Sequence, residues 1–227
     1  MIKDNVFVIG IAGMKYHGKS AFGQALLHEL STNDNLNVVV IPYAYKLKKF
    51  LIDFVSESTK MPEDRVKLYF YDSIYKEQKI PNMFGVTSRT LMTKFGTEFA
   101  RDCISNEFWI HSLNQEIFDN TMQASKPLVV IVDDVRFEDE LQNILSYHNH
   151  KMIYVKRNIK INLFKKIWNK VFIHKSERGV NHLYRKGDKS QIMINNDSSL
   201  EVLQKEAKIV YNNIIGEINE SIKKCDW

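Results

Sequence analysis

Eight residues near the start of the chain restrict its fold more than any other segment. They extend from Gly13 to Ser20 and read Gly-x-x-x-x-Gly-Lys-Ser, a pattern in which glycines let backbone N–H groups converge on a phosphate. The apolar residues 6–11 precede them, and the helix-forming residues 21–30 follow. A strand, a glycine-rich loop and a helix in this order predict an α/β fold with a phosphate site at the helix N-terminus. The alternative is a glycine turn that only caps the helix.

This phosphate loop supplies the first candidate site residues. Lys19 is expected to reach the β- and γ-phosphates of ATP, and the Ser20 hydroxyl is expected to hold Mg²⁺. We expect the Lys19 side chain to face solvent while the loop is empty. The residues of this segment expected to contact the cofactor are Gly13, Lys15, His17, Gly18, Lys19, Ser20 and Ala21.

Short apolar segments alternate with helical patterns along the rest of the chain. We predict strands at 37–41, 128–132, 151–156 and 191–194. We predict helices at 44–54, from 62 toward 75, from 87 past 99, and at 107–122, 137–146, 161–170 and 200–222. This alternation predicts a mostly parallel sheet that helices cover on both faces, with ligands at the carboxyl ends of the strands.

Charge is distributed unevenly along the chain. Residues 151–190 contain twelve Lys or Arg and two acids, a local net charge of +10, whereas the whole chain of 227 residues has a net charge of +5. A basic block can bind nucleic acid, clamp a polyphosphate or form a solvated helix face. In a chain that has a phosphate loop, the block favours clamping a polyphosphate.

The two cysteines, Cys103 and Cys225, form no metal or redox motif, which is typical of a reducing compartment. No signal peptide or membrane-spanning run is evident. These features predict a cytoplasmic protein without a membrane partner.

Two acids follow the most apolar strand. Asp133 and Asp134 come directly after residues 128–132, where phosphate-loop proteins place the acid that organises Mg²⁺. A helix N-cap is the alternative role. No Glu follows Asp134, and no Asn-Lys-x-Asp motif is present, so transfer to a bound acceptor is favoured over hydrolysis or GTP switching.

A third candidate feature lies between residues 87 and 101. Helical spacing predicts that Arg89, Thr93, Gly96 and Ala100 share one side of a helix, with Thr97 and Arg101 nearby. Two arginines around a small polar surface could hold a second phosphate. A solvent-facing basic helix is the alternative.

With these segments in this order, the chain resembles the deoxynucleoside monophosphate kinases of tailed bacteriophages, within the nucleoside monophosphate kinase group. The segments that carry the resemblance are 13–20, 44–48, Arg89 with 95–98 and Arg101, Trp109, 134–137, 174–177 and 194–197. The resemblance implies a P-loop kinase fold and transfer of a phosphoryl group from ATP to a deoxynucleoside monophosphate.

The resemblance also implies residue roles. The catalytic residues would be Lys19, Asp134, Arg136 and Arg178, with Ser20 and Asp134 at the metal. The acceptor-binding residues would be Lys48, Arg89, Thr93, Gly96, Thr97, Arg101, Trp109, Asp134 and Arg136. Asn196 and Asp197 would lie near the adenine, and Lys175, Arg178 and Arg185 would belong to a basic lid.

We therefore expect one kinase domain over residues 1–227, with a core (about 1–42, 126–160 and 191–227), an acceptor-binding helical region (about 43–125) and a lid (about 171–190). The expected partner is a deoxynucleoside monophosphate, without stable nucleic-acid binding, and a homodimer is left open. If the chain is phage-encoded, it would act in the cytoplasm of the infected bacterium. The alternatives are a kinase of a non-nucleotide small molecule and a nucleic-acid-associated ATPase.

Overall fold

The fold is described by a computed structural model over residues 6–72, 74–158 and 179–223. Five strands form one parallel sheet: β1 Val6–Ala12, β2 Asn37–Val40, β3 Leu128–Val135, β4 His150–Lys156 and β5 Gln191–Asn195. Seven α-helices are described: α1 Lys19–Leu30, α2 Tyr45–Thr59, α3 Glu63–Tyr71, α4 Ser88–Thr93, α5 Phe108–Gln123, α6 Glu138–Leu145 and α7 Leu200–Lys223. A π-helix, Lys94–Ile104, continues directly from α4.

The chain divides into two compact units. The sheet unit comprises Met1–Pro42 and Asn114–Trp227, and the helical unit comprises Tyr43–Leu113. The functional division into core, acceptor-binding region and lid stays a prediction.

In the sheet unit the strand order is β2-β3-β1-β4-β5, and every pairing is parallel. The central strand β1 is buried along all seven residues, which is why its sequence is continuously apolar rather than alternating. Helices α1 and α7 cover the face that carries Phe7, Ile9 and Ile11. The opposite face is tightly packed at Gly10, where a Cβ would lie 3.0 Å from Ile144 of α6. The predicted α/β class with a parallel sheet is confirmed.

The helical unit has its own core. Leu47, Leu51 and Val55 of α2 pack with Val66 and Phe70 of α3, as the apolar spacing of these helices requires. Aromatic rings also connect α2 to the π-helix, with ring centroids of Phe54 and Phe95 5.9 Å apart.

Two features differ from the sequence-based expectation. The helix predicted from 87 past 99 is α-helical only over α4 and then winds as a π-helix, so the 3.6-residue spacing does not hold beyond Thr93. Helix α2 continues to Thr59, where Lys60 ends it with a left-handed φ of 58°.

The basic helix predicted at 161–170 lies outside the described residues. Among the described helices, none is both long enough and apolar enough to cross a membrane.

Candidate functional site

The phosphate loop joins the end of β1 to the start of α1. Its backbone is closely packed at Gly13, where a Cβ would lie 2.6 Å from the Val155 carbonyl oxygen. Gly18 has a φ of 89°, a left-handed conformation that glycine adopts without steric cost. The two glycines of the motif are therefore required by geometry, one for close packing and one for its backbone angle. Ser20 and Ala21, in the first turn of α1, are exposed.

Lys19 is half-buried, whereas we expected a side chain that faces solvent. Its ammonium group, which has three N–H donors and no acceptor, donates hydrogen bonds to the carbonyl oxygens of Gly13 at 2.7 Å and Met14 at 3.0 Å. Lys15 of the same loop is half-buried, with its Nζ 5.0 Å from the ring centroid of the exposed Tyr16.

His17 anchors the phosphate loop to the sheet. Its ring is buried, and Nδ1 lies 3.2 Å from the carbonyl oxygen of Val155, at the end of β4. A carbonyl can only accept, so Nδ1 carries the proton of the neutral ring. Burial lowers the pKa of His17 below its ordinary value, and the positive charge of Lys19 lowers that pKa further, against the opposing effect of the Val155 hydrogen bond. His17 is thus a structural residue of the loop.

The two residues predicted to lie near the adenine, Asn196 and Asp197, form hydrogen bonds with backbone groups of other loops. Asn196 is buried, and its Nδ2 donates to the carbonyl oxygen of His17 at 2.9 Å. Asp197 is exposed and accepts hydrogen bonds from the backbone N–H and the side-chain amide of Asn158 at 2.6 and 2.7 Å. Both residues therefore fix loops at the carboxyl edge of the sheet, beside β4.

Asp133 and Asp134 lie in a β-bulge at the carboxyl end of β3. Gly10 pairs with Val132, but Ala12 pairs with Val135, so both acids stand opposite the single residue Ile11. Asp133 approaches α1, since a Cβ placed on Gly23 would lie 3.3 Å from Asp133 Cβ and 4.0 Å from its Oδ2. Gly23 is about one helical turn after Ser20, so the Asp133 carboxylate lies beside the first turns of α1.

The backbone at Arg136 is fixed by a buried carboxylate. Glu140, in the first turn of α6, accepts from the backbone N–H of Arg136 at 2.8 Å and of Phe137 at 3.1 Å. This pairing satisfies amides that the start of a helix leaves without intrahelical partners. The Arg136 side chain is exposed and stands two residues after Asp134.

In the helical unit, the π-helix brings Gly96 against α2. A Cβ on Gly96 would lie 2.5 Å from Leu47 Cδ2, and the indole N–H of Trp109 donates to the Gly96 carbonyl oxygen at 2.8 Å. Trp109 and Gly96, both predicted to bind the acceptor, thus support one another structurally. Thr97 is buried beside Gly96.

The two arginines predicted to hold a second phosphate differ in environment. Arg89 forms an ion pair with Glu77, its Nε and Nη2 each 2.7 Å from Oε1. Arg101 is buried, with 6% of its surface exposed. Thr93 is half-buried, and Lys48 places its Nζ 4.8 Å from the ring centroid of Tyr71. The predicted acceptor residues thus all belong to the helical unit except Asp134 and Arg136, which belong to the sheet unit.

The predicted lid is described only after residue 178. Lys175 and Arg178 lie outside the described residues. Gly179 has a φ of 66° and packs against the phosphate loop, since a Cβ there would lie 3.3 Å from the Gly13 carbonyl oxygen. Asn181 donates to the Val155 carbonyl oxygen at 3.0 Å. Arg185 is exposed.

Three residues of the sheet unit form contacts described above but were not among the predicted site residues: Asp133, Glu140 and Asn181. A signal existed for Asp133, because alternation along β3 places residue 133 on the same face as Ile131. A weaker signal existed for Glu140, since an acid in the first helical turn often pairs with amides. The contact of Asn181 with β4 had no local signal. Over the described parts of the chain, no group of three or more His, Cys, Asp or Glu could hold a metal by itself.

Several solved structures of kinases are similar to this chain. A dephospho-CoA kinase from Campylobacter jejuni is 14% identical with a TM-score of 0.41, and the similarity covers 92% of this chain and 98% of that chain. A gluconokinase from Sinorhizobium meliloti is 10% identical with a TM-score of 0.40, covering 93% and 97%. A sugar kinase from Janibacter is 12% identical with a TM-score of 0.40, covering 94% and 98%. No curated protein sequence matches this chain.

A sequence model of one protein family matches most of the chain. The family is described as deoxynucleotide monophosphate kinase, and its model aligns with residues 24–207. The matched range includes the Asp133–Asp134 bulge, the π-helix and Asn196, and it begins just after the phosphate loop. The protein therefore belongs to the deoxynucleotide monophosphate kinase family.

Proposed function

We propose that the protein transfers the γ-phosphoryl group of ATP to a deoxynucleoside monophosphate. The observation that carries this proposal is the phosphate loop beside two strand-end carboxylates, within a chain of a monophosphate kinase family. A phosphate oxygen of the acceptor attacks the γ-phosphorus, and the bond from that phosphorus to the β–γ bridging oxygen breaks. The products are a deoxynucleoside diphosphate and ADP.

We assign the ATP phosphates to the loop from Gly13 to Ser20. Backbone N–H groups and the start of α1 would bind the phosphate oxygens. The Lys19 ammonium group would exchange its two carbonyl partners for the β- and γ-phosphates. This exchange favours ATP binding because a charged phosphate is a stronger acceptor than a neutral carbonyl.

We assign Mg²⁺ to the Ser20 hydroxyl and the acids of the β3 bulge. These donors fit the ion, because Mg²⁺ is usually bound by one or two carboxylates together with substrate phosphates rather than by an all-protein cage. When bound, the ion would neutralise charge on the phosphates. The two acids are competing candidates for this role. The family resemblance implies Asp134, whereas the proximity of Asp133 to α1 favours Asp133.

We assign the acceptor to Lys48, Arg89, Thr93, Gly96, Thr97, Arg101 and Trp109 of the helical unit, with Arg136 near the transferred group. The Arg89 guanidinium is half-exposed on the surface of α4, where a phosphate could compete with Glu77 for it. An arginine fork can bind a phosphate through two hydrogen bonds. Lys175, Arg178 and Arg185 remain candidates for a basic lid, and action in the cytoplasm of an infected bacterium, with or without a homodimer, stays a prediction.

A coupled ADP-release assay with ATP, Mg²⁺ and a panel of deoxy- and ribonucleoside monophosphates tests the proposal. We expect ADP release that depends on a deoxynucleoside monophosphate, and a loss of about 100-fold or more in kcat for Lys19→Ala. Lys126→Ala is the matched control, because Lys126 is an exposed lysine whose Nζ donates a hydrogen bond to the Asp34 carbonyl oxygen, away from the phosphate loop. ADP release without any monophosphate, or stimulated by DNA, would point to an ATPase instead.

The acceptor assignment is tested separately with Arg89→Ala and Arg101→Ala. We expect Arg89→Ala to raise the KM for the monophosphate more than the KM for ATP while leaving the melting temperature nearly unchanged, because an exposed ion pair contributes little. Arg101→Ala should lower the melting temperature as well, because Arg101 is buried. Equal effects on the two KM values, or no effect on either, would indicate that Arg89 only forms a surface ion pair with Glu77.

A further inference from the structure

One buried side chain of the sheet unit connects two loops that are far apart in sequence. Asn196 follows β5, is 7% exposed, and donates from Nδ2 to the His17 carbonyl oxygen at 2.9 Å. The two residues are 179 positions apart. A buried amide that loses its partner destabilises a protein markedly, so this contact is a firm restraint on the phosphate loop.

The restraint acts on one particular peptide group. The His17–Gly18 peptide is trans, as are all peptides of the described chain, and in a trans peptide the carbonyl oxygen and the following N–H point in opposite directions. Because Asn196 holds the carbonyl, the N–H of Gly18 must point away from Asn196. We infer that Asn196 is a positioning residue that orients the Gly18 N–H for the phosphates of the nucleotide, an inference that rests on the proposed function of the loop.

The local packing makes this orientation specific. A Cβ on Gly18 would overlap Nδ2 of Asn196, and Gly18 has a φ of 89°. The asparagine amide therefore occupies the space that any other residue at position 18 would fill. The His17 ring is in turn hydrogen-bonded to the Val155 carbonyl oxygen of β4. His17 is thus held through its backbone by the loop after β5 and through its side chain by β4.

This role differs from contact with the adenine, which the family resemblance implies for the same residue. A contact with the base would stabilise only ligands that carry the base. An oriented backbone amide would stabilise any ligand with a β- or γ-phosphate, whether or not a nucleoside is attached. The two roles therefore predict different responses to a ligand that consists of phosphates alone.

The test compares binding of Mg-ATP and of magnesium tripolyphosphate by calorimetry in the wild-type protein and in Asn196→Ala. We expect both dissociation constants to rise by the same factor, about tenfold, as loss of one buried hydrogen bond allows. The KM for the deoxynucleoside monophosphate should stay unchanged. Asn195→Ala is the matched control, because Asn195 is the exposed neighbour of Asn196.

If Asn196→Ala does not fold, as judged by circular dichroism, Asn196→Leu takes its place, because leucine keeps the branched shape without a donor. A loss confined to Mg-ATP would overturn the inference in favour of an adenine contact. Unchanged binding of both ligands would also overturn it. If the wild-type protein bound neither ligand, the proposed function of the loop would fail together with the inference.

Discussion

At the scale of single residues, the β3 bulge places two carboxylates opposite one residue of β1, whereas regular pairing would place only one there. Asp133 and Asp134 both stand opposite Ile11, and Asp133 lies beside Gly23 of α1. Bulges often re-aim side chains next to active sites. The bulge therefore provides a physical reason why two adjacent acids could share one metal site.

The two acids can be distinguished by substitution. We expect Asp133→Asn to lower kcat by about 100-fold and to raise the Mg²⁺ concentration needed for half-maximal rate, because its carboxylate lies beside the first turns of α1. Activity is measured as a Mg²⁺ titration of ADP release for Asp133→Asn and Asp134→Asn side by side. A loss seen only with Asp134→Asn would show that the acid favoured by the sequence organises the metal.

His17 makes the stability of the sheet unit depend on pH. Its pKa in the folded protein is below the ordinary value of 6.5, so below pH 6.5 the unfolded state binds more protons than the folded state. Stability contributed by the neutral ring is therefore complete above that pH, and it is lost as the pH falls toward the folded pKa. Urea unfolding between pH 8 and pH 5 measures this dependence.

Two substitutions isolate the contribution of His17. His17→Gln should give a shallower loss of stability on acidification, because glutamine does not titrate and retains an N–H donor. His28→Gln is the control at an exposed position of α1 and should keep the wild-type slope. If His17→Gln also keeps the wild-type slope, then the acid sensitivity arises elsewhere.

At the scale of elements, the π-helix determines how the helical unit packs. Its Gly96 lies against Leu47 of α2, and Trp109 is bonded to the Gly96 carbonyl. π-Helical turns are rare and are often found at functional sites. Here the π-helix contains three of the residues that we assign to the acceptor: Gly96, Thr97 and Arg101.

A pair of glycine substitutions tests this packing. Gly96→Ala should lower the free energy of unfolding by about 1–3 kcal/mol, because its Cβ would press on a buried leucine. Gly216→Ala, at an exposed position of α7 with no atom within 4 Å of the added Cβ, should instead raise stability by about 0.5–1 kcal/mol. Denaturant unfolding of both variants gives the comparison, and equal effects would mean that Gly96 is not closely packed.

At the scale of the whole molecule, nucleotide binding should appear as added thermal stability. A ligand at 100 times its dissociation constant stabilises the folded state by about 2.7 kcal/mol, which corresponds to roughly 5–10 °C in the melting temperature of a chain this size. Mg-ATP should produce this shift in the wild-type protein and a much smaller one in Lys19→Ala. If the two units unfold separately, the shift should belong to the sheet unit, which contains the loop.

The shift in melting temperature also distinguishes binding of Mg-ATP from binding of the deoxynucleoside monophosphate. A deoxynucleoside monophosphate should stabilise Lys19→Ala as well as it stabilises the wild-type protein, because none of its assigned residues belongs to the phosphate loop. A variant that loses both responses would indicate general damage to the fold rather than loss of the ATP phosphates.

The sequence alone determined the features that depend on neighbouring residues. The phosphate loop, the apolar strand β1, the apolar residues 128–132 of β3 and the helices that follow these strands are all local patterns, and the parallel sheet follows from their alternation. The acid pair at the end of β3 and the family resemblance were visible for the same reason.

The tertiary structure decided the contacts between residues far apart in the chain. The bulge that sets Asp133 toward α1 arises from the pairing of β3 with β1, and the π-helix arises where α-helical spacing predicts none. Asn196 meets His17 across 179 positions, and His17 meets Val155 across 138. Such partners are selected when strands assemble into a sheet, because packing fixes which loop ends meet at its carboxyl edge, and no local pattern encodes that choice.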